Sequence, residues 1–322
     1  MELVAADIGG THARFALATL DVGGRVQHLS EPVVLRCADH ANLASGWAAF
    51  GTSLGRPLPR AAAIAIAGPA QGEELRLTNN HWVIRPAQLG EDLGVDAQLV
   101  VNDFAAVAHA VAACGPGDFA HITGPDVALP DHGVISVLGP GTGLGVAALL
   151  RDGAGWQVLA TEGSHGDFAA VDAVEDAILA HFRCKFGRVS SERVISGPGL
   201  ADIAAAIAGM DDFALQSLPD AELWRLALAG EDRLAAAALE RFCLMLGSFA
   251  GNMALAHGAS AVVIGGGLGA RLAGHLAHSG FAGRFTAKGR FADMMAGLPV
   301  KAILHPQPGL LGAAAAFGRT MT

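Results

Sequence analysis

A carboxylate placed directly after an apolar run is costly to desolvate, and this sequence does it in "VVNDFAAVAHA" (100–110). Leu99, Val100 and Val101 read as buried strand, and Ala105 onward reads as helix, with Asn102 and Asp103 at the junction. Two roles fit Asp103. It can cap the following helix, or it can act as a general base that takes a proton from a hydroxyl. Further along, "TEGSHGDF" (161–168) puts Glu162 and His165 in one short Gly-flanked loop. Such groups can fork around a polyol, accepting from and donating to vicinal hydroxyls. "RVSSERVISGPG" (188–199) adds Glu192 just before a Gly-Pro-Gly turn, where it is a sugar ligand, a capping-box residue or a solvated carboxylate.

Two Gly-rich stretches suit phosphate. "ADIGGTHAR" carries Asp7, Ile8, Gly9, Gly10, Thr11 and Arg14, and "GPGTGLG" (139–145) carries Gly141, Thr142 and Gly143. Successive glycines in a turn can present several N–H groups inward as an anion nest. Asp7, at a strand end, can hold Mg²⁺ through water, the way that ion prefers to bind. The only lysines are Lys185, Lys288 and Lys301, and none lies in a Gly-rich loop. With no G-x-x-x-x-G-K-[ST] and no V-A-I-K, H-R-D or D-F-G set, the P-loop and protein-kinase designs are excluded. Weak G-x-G-x-x-A matches start at Gly143 and at Gly265. A dinucleotide fold needs strand, turn and helix in that order, and the first match is followed by a second strand.

The elements that must hold these residues alternate between strand and helix. "ELVAADIG" and "ARFALATL" form a hairpin with glycines at its tip, and "VISVLGPGTGLGVAALL" (134–150) repeats the device. "RAAAIAIAG" (60–68), "QLVV" (98–101), "AVVIGGG" (261–267) and "VKAILH" (300–305) read as further strands. "DAVEDAILAHF", "LAAAALERFCLMLGSFAGNMALAH" and "PGLLGAAAAFGR" read as helices by apolar spacing. The pattern is α/β, in two similar halves, each opening on a Gly-rich hairpin and facing the other across a cleft.

Bulk properties set the outer limits. The chain has 322 residues, 52% hydrophobic and 16% charged, so it can bury a large core. Gly accounts for 43 residues, well above the average share of about 7%. A net charge of −9 argues against broad nucleic-acid binding. The N-terminus lacks a basic, apolar leader, and no run of the needed length lacks Gly, Pro or polar interruption, so no membrane span is expected. Cys37, Cys114, Cys184 and Cys243 are far apart, as free thiols of a reducing cytoplasm would be.

Taken in order, D-x-G-G-T-x-x-R, T-N, V-N-D-F, G-x-G-T-G-L-G, E-G-x-H-x-D-F, S-x-E-R-x-x-S-G-P-G, G-G-G and K-G-R-F run nearly end to end. As an ordered series they resemble the bacterial glucokinases of the hexokinase/actin-like ATPase superfamily. The resemblance implies two actin-like (ribonuclease H-like) α/β domains, a small one of residues 1–107 plus 306–322 and a large one of residues 108–305, with ATP and sugar in the cleft between them. It implies ATP and Mg²⁺ as cofactors, a homodimer, and a cytoplasmic enzyme that phosphorylates the 6-hydroxyl of D-glucose. By resemblance Asp103 is the base, and Asn102, Glu162, His165 and Glu192 hold the sugar, with Asn79 or its neighbour in "LTNNHW" beside them. Asp7 to Thr11 and Gly141 to Gly143 line the phosphates, and Gly265, Gly266 and Gly267 form the adenosine-side turn. The related repressor/sugar-kinase group has a Cys-rich zinc loop; here that region offers only Cys184, so no structural zinc is expected. A kinase of another hexose, a non-catalytic sugar sensor and a filament-forming ATPase are the rival readings. The sensor lacks room for a DNA-recognition module before the first strand, and the filament has no use for the polyol set.

Overall fold

The computed structural model describes residues 1–77, 80–210 and 218–321. They divide into two compact units: residues 1–115, 158–160 and 305–322, and residues 116–157 and 161–304. The sequence placed the first boundary at 107/108. That point lies inside a helix that runs unbroken from Asp103 to Ala113, so the division falls after it, at Gly115.

Unit 1 begins with β1 (Glu2–Ile8), β2 (His12–Leu20), β3 (Val26–Leu29) and β4 (Val33–Arg36). Helix α1 (Leu43–Leu54), β5 (Ala61–Ile66), β6 (Leu75–Arg76), β7 (Val83–Ile84), α2 (Leu89–Leu93), β8 (Ala97–Asn102) and α3 (Asp103–Ala113) follow. The sheet order is β3-β2-β1-β5-β8, with β4 also on β2. β1 and β2 are antiparallel with Asp7 opposite Arg14, whereas β1, β5 and β8 run parallel. The all-buried "AAAIAI" of β5 explains that alanine run: it is central strand, flanked on both faces by core.

Strand β8 differs from its sequence reading. It is the edge of this sheet, and Leu99, Val100 and Val101 are half-buried rather than buried. An apolar run does not distinguish an edge strand from a central one. Asp103 therefore follows a partly exposed strand and is itself half-buried.

Unit 2 contains β9 (Phe119–Thr123), β10 (His132–Pro140), β11 (Leu144–Asp152) and the ends of β12 (Trp156–Thr161), whose residues 158–160 group with unit 1. Helices α4 (Ala173–Phe186), α5 (Ser191–Val194), α6 (Gly199–Met210), α7 (Asp220–Ala229) and α8 (Arg233–His257) come next. Strand β13 (Ala259–Ile264), α9 (Gly266–Leu276), α10 (Phe281–Thr286), α11 (Ala292–Ala296) and β14 (Val300–Ile303) complete it. The order β12-β11-β10-β13-β14-β9 repeats the unit 1 plan of an antiparallel group followed by parallel strands, with β9 added antiparallel to β14. The last helix, α12 (Pro308–Arg319), belongs to unit 1 and packs on α3 and β1.

Helix α8 is long and apolar enough to cross a membrane, but 61% of its apolar window is buried inside the protein. It is the central helix of unit 2: Leu239, Phe242, Cys243, Met245 and Leu246 are fully enclosed among α6, α7, α10 and β13. Asp232 starts it by accepting from the Ala235 N–H at 2.7 Å, and Gly258 ends it in the left-handed region at φ 59°.

Candidate functional site

At the first hairpin the Gly9 N–H closes the turn onto the His12 carbonyl at 3.0 Å. The Gly9 carbonyl in turn accepts from Asn80 Nδ2 at 2.9 Å and from the Cys37 thiol at 3.7 Å. The Cys37 N–H donates to the Thr11 carbonyl at 2.9 Å. The turn is thus pinned from two directions, and the Thr11 side chain is exposed at its tip. The anion nest expected here loses one donor, because Gly9 spends its N–H on the turn. Among the described residues no protein acceptor faces the Gly10 or Thr11 N–H. Ile8 is fully buried, so only its backbone could meet a ligand; its carbonyl already accepts from Ala67 at 3.1 Å.

Asp7, the last residue but one of β1, has Arg14 Nη1 3.8 Å from its carboxylate. Burial pushes its pKa up, and Arg14 opposes that only in part. Gly309, in the first turn of α12, lies against this carboxylate: a Cβ there would come within 2.8 Å of Asp7 Cγ and Oδ2. A half-compensated carboxylate, left open by a residue with no side chain, suits a divalent cation. Among the described residues no group of three or more His, Cys, Asp or Glu forms a closed metal site.

At the β8–α3 junction it is Asn102, not Asp103, that caps the helix. Asn102 Oδ1 accepts from the Ala105 N–H at 2.9 Å, and Nδ2 donates to the Gly68 carbonyl at 3.1 Å. Much of its side-chain capacity is structural, which narrows the expected role as a sugar ligand. Asp103 is half-buried and accepts at Oδ1 from the Phe104 N–H at 2.9 Å. Asn79 lies outside the described residues. Asn80, the other candidate in "TNNH", is committed to Gly9 and, through Oδ1, to the Trp82 N–H at 2.9 Å.

In unit 2 the structure brings Glu192 to the Glu162–His165 pair, from which the sequence separates it. His165 Nε2 lies 3.7 Å from Glu162 Oε2 and 4.0 Å from Glu192 Oε1. Both separations exceed hydrogen-bond length, so the three polar ends converge without closing on one another. Glu162 and His165 are about half exposed and Glu192 is 30% exposed. A one-turn 3-10 helix at Gly163–His165 sets the first pair. Ser190 caps α5 and so orients Glu192. The two segments are stitched together by Ser191 N–H to Gly166 O at 2.9 Å and Phe168 N–H to Val189 O at 3.0 Å. Arg188 adds a clamp, with Nη2 2.5 Å from the His165 carbonyl and 2.8 Å from Asp167 Oδ1. Glu192 is neither a capping-box residue nor a solvated one: its Oε2 accepts from the Leu144 N–H of the second hairpin at 3.2 Å.

That hairpin turns through Gly141, Thr142 and Gly143, and the Gly141 N–H closes it onto the Gly143 carbonyl at 2.8 Å. Here too the first glycine is unavailable as a phosphate donor. Thr142 is exposed at the tip. Beside it opens a cavity of about 440 Å³ lined by Gly141, Thr142, Gly197, Pro198, Asp220, Trp224, Gly267, Leu268 and Arg271. Trp224 is nearly buried, anchored by Nε1 to the Gly197 carbonyl at 2.9 Å and edge-on to Phe242. Of the three expected glycines, Gly267 lines the cavity. Gly265 caps α9 and Gly266 sits at φ 76° against the Pro140 carbonyl, so these two position the turn. Strand β13, Gly265 and α9 do supply a strand, a turn and a helix N-terminus at the cavity, a polar end suited to anions. The sequence reading missed Asp220, Trp224, Arg271 and Arg188. None stands in a motif, and each reaches its site through helix or loop packing.

Comparison with known proteins identifies the family. A family model described as glucokinase matches residues 4–320. The chain is 58% identical to a glucokinase of Zymomonas mobilis subsp. mobilis over 98% of both chains. It is 41% identical to one of Paramagnetospirillum magneticum over 97% of this chain and 96% of the other. Among solved structures, a glucokinase from an Antarctic psychrotroph superposes with a TM-score of 0.84 at 33% identity, covering 99% of each chain. A glucokinase of the ROK family from Streptomyces griseus, in complex with glucose and AMPPNP, shares the fold with a TM-score of 0.64 at 19% identity, covering 98% of each chain. With a family match that runs almost from end to end and 58% identity to a glucokinase over nearly the whole chain, this protein belongs to the glucokinase family.

Proposed function

We propose that this chain transfers the γ-phosphoryl group of ATP to the 6-hydroxyl of D-glucose, with Asp103 as the base. The observation that carries the sugar half of the reading is the convergence of Glu162, His165 and Glu192 from two separate segments around an open centre. Two carboxylates and an imidazole in that spacing offer acceptors and a donor to adjacent hydroxyls. Asp103 accepts the proton of the attacking hydroxyl, and Asn102, rigid as a helix cap, holds the base in register. Asn79 joins the sugar set by family likeness.

The exposed Thr11 and Thr142 hydroxyls, with the N–H groups of Gly10 and Gly143, receive phosphate oxygens as charge develops. The cavity beside Thr142 takes the nucleoside end, with Gly267 and Arg271 in its wall. Mg²⁺, when bound, neutralises the phosphate charge, and Asp7 would hold it through water. So little covalent work falls to the protein that positioning and charge stabilisation carry most of the rate. Family membership extends the proposal to a homodimer acting in the cytoplasm.

The test is ATP-dependent phosphorylation of glucose, mannose, fructose and N-acetylglucosamine side by side. A kcat/KM for glucose at least about tenfold above the others is expected. Preference for another hexose would retain the kinase reading and replace the substrate.

A further inference from the structure

We propose that Gly143 is a positioning residue of the sugar site: it lacks a side chain so that the Glu192 carboxylate can lean against the phosphate hairpin. The inference rests on the reading of Glu192 as a sugar ligand. Glu192 Oε2 accepts from the Leu144 N–H at 3.2 Å, while Oε1 faces His165 Nε2 at 4.0 Å. One oxygen is therefore fixed by the backbone of the hairpin, and the other points toward the polyol set. This fixes the rotation of the carboxylate, and with it the direction in which a hydroxyl can donate.

The space for that contact exists only at a glycine. A Cβ on residue 143 would stand 2.4 Å from Glu192 Oε2 and 3.1 Å from its Cδ. The clashing atoms are the far end of a flexible side chain, so the strain is relieved by swinging the carboxylate away, not by moving backbone. An alanine here should leave the fold intact and misdirect one sugar ligand. The neighbouring glycine of the same turn is different: a Cβ on Gly141 meets nothing within 4 Å. Through Glu192 the turn assigned to ATP and the side chain assigned to sugar form one mechanical unit. Anything that shifts the Leu144 N–H shifts the acceptor offered to the sugar.

The experiment is steady-state kinetics on Gly143→Ala, Gly141→Ala and Glu192→Gln, with thermal melting as the check on folding. Gly143→Ala is expected to melt within about 2 °C of wild type and to raise the glucose KM about tenfold, with a much smaller change in kcat. Gly141→Ala, whatever it does to the ATP KM, should leave the glucose KM within about twofold. If Glu192→Gln raises the glucose KM and Gly143→Ala does not, the positioning role falls and the sugar-ligand reading stands. If Glu192→Gln also leaves the glucose KM unchanged, both fall. Should Gly143→Ala fail to fold, Gly143→Ala with Glu192→Asp replaces it, because the shorter acid withdraws from the added methyl. Relative to Glu192→Asp alone, the added alanine should then cost less than about threefold in glucose KM; a further tenfold loss would overturn the proposal.

Discussion

The two Gly-rich hairpins share one design and differ in what surrounds the turn. Each joins the first two strands of its unit's hairpin, each spends the N–H of a glycine on closing itself, and each exposes a threonine at the tip. The first carries its own charge, Asp7 opposite Arg14, and is braced by Asn80 and Cys37. The second has no ionisable group in its turn. It takes one from a distant helix, Glu192, and shares its wall with a cavity. On the proposed reading the same backbone device serves two chemistries: an acid kept for a cation in unit 1, and a joint between phosphate and sugar recognition in unit 2.

The largest effect that would break this comparison is steric. A Cβ on Gly139 would lie 1.9 Å from the Gly265 carbonyl, a backbone clash with no cheap relief. In the first hairpin a Cβ on Gly9 meets only the His12 carbonyl at 3.4 Å. Gly139→Ala is expected to cost about 3 kcal/mol or more of stability, and Gly9→Ala less than about 1 kcal/mol, as read by chemical denaturation. Equal costs would mean that the two turns are equally supported.

Next comes the acid. Asp7→Asn should lower kcat about 10²-fold by weakening charge stabilisation at the phosphates. It should also raise the melting temperature at neutral pH. Burial raises the Asp7 pKa above its ordinary 3.8, so the folded state holds that proton more tightly than the unfolded state. Stability then falls as pH rises from the unfolded value through the folded one, and stays lower above it. The asparagine removes that cost, worth about 2–4 °C per kcal/mol recovered, and the gain should vanish in acid. A variant less stable than wild type at neutral pH would contradict the account of Asp7.

The smallest effect concerns the thiol beneath the first turn. Cys37 is buried, and burial raises its pKa, whereas Cys184 is exposed. Alkylation followed by mass spectrometry should label Cys184 at least about tenfold faster than Cys37. Rapid labelling of Cys37 would show that the first hairpin opens freely despite Asn80.

Most strands and helices were legible because their apolar periods are clean: the two hairpins, β5, β13, α8 and α12 lie where the sequence put them. The convergent trio was legible only as residue types. What joins Glu192 to Glu162 and His165 is the stitching of Gly166 to Ser191 and of Phe168 to Val189, a contact with no sequence period. Asn102 and Asp103 show the limit at single-residue scale. Both can cap a helix, and the cap depends on which backbone bends into the extended region; here it is Asn102, at φ −63° and ψ 146°. Asp220 and Arg271 were invisible because they meet at the cavity through α7 and α9, two helices brought together by the folded core.

The central claim is that Asp103 is the base, held beside the Asn102 cap at the β8–α3 junction. The direct measurement is kcat for glucose with MgATP in wild type and in Asp103→Asn, alongside glucose affinity from an independent titration. The account predicts a fall in kcat of about 10²-fold or more, with glucose affinity within about threefold of wild type. Turnover within about threefold of wild type would contradict it and move the base elsewhere in the site.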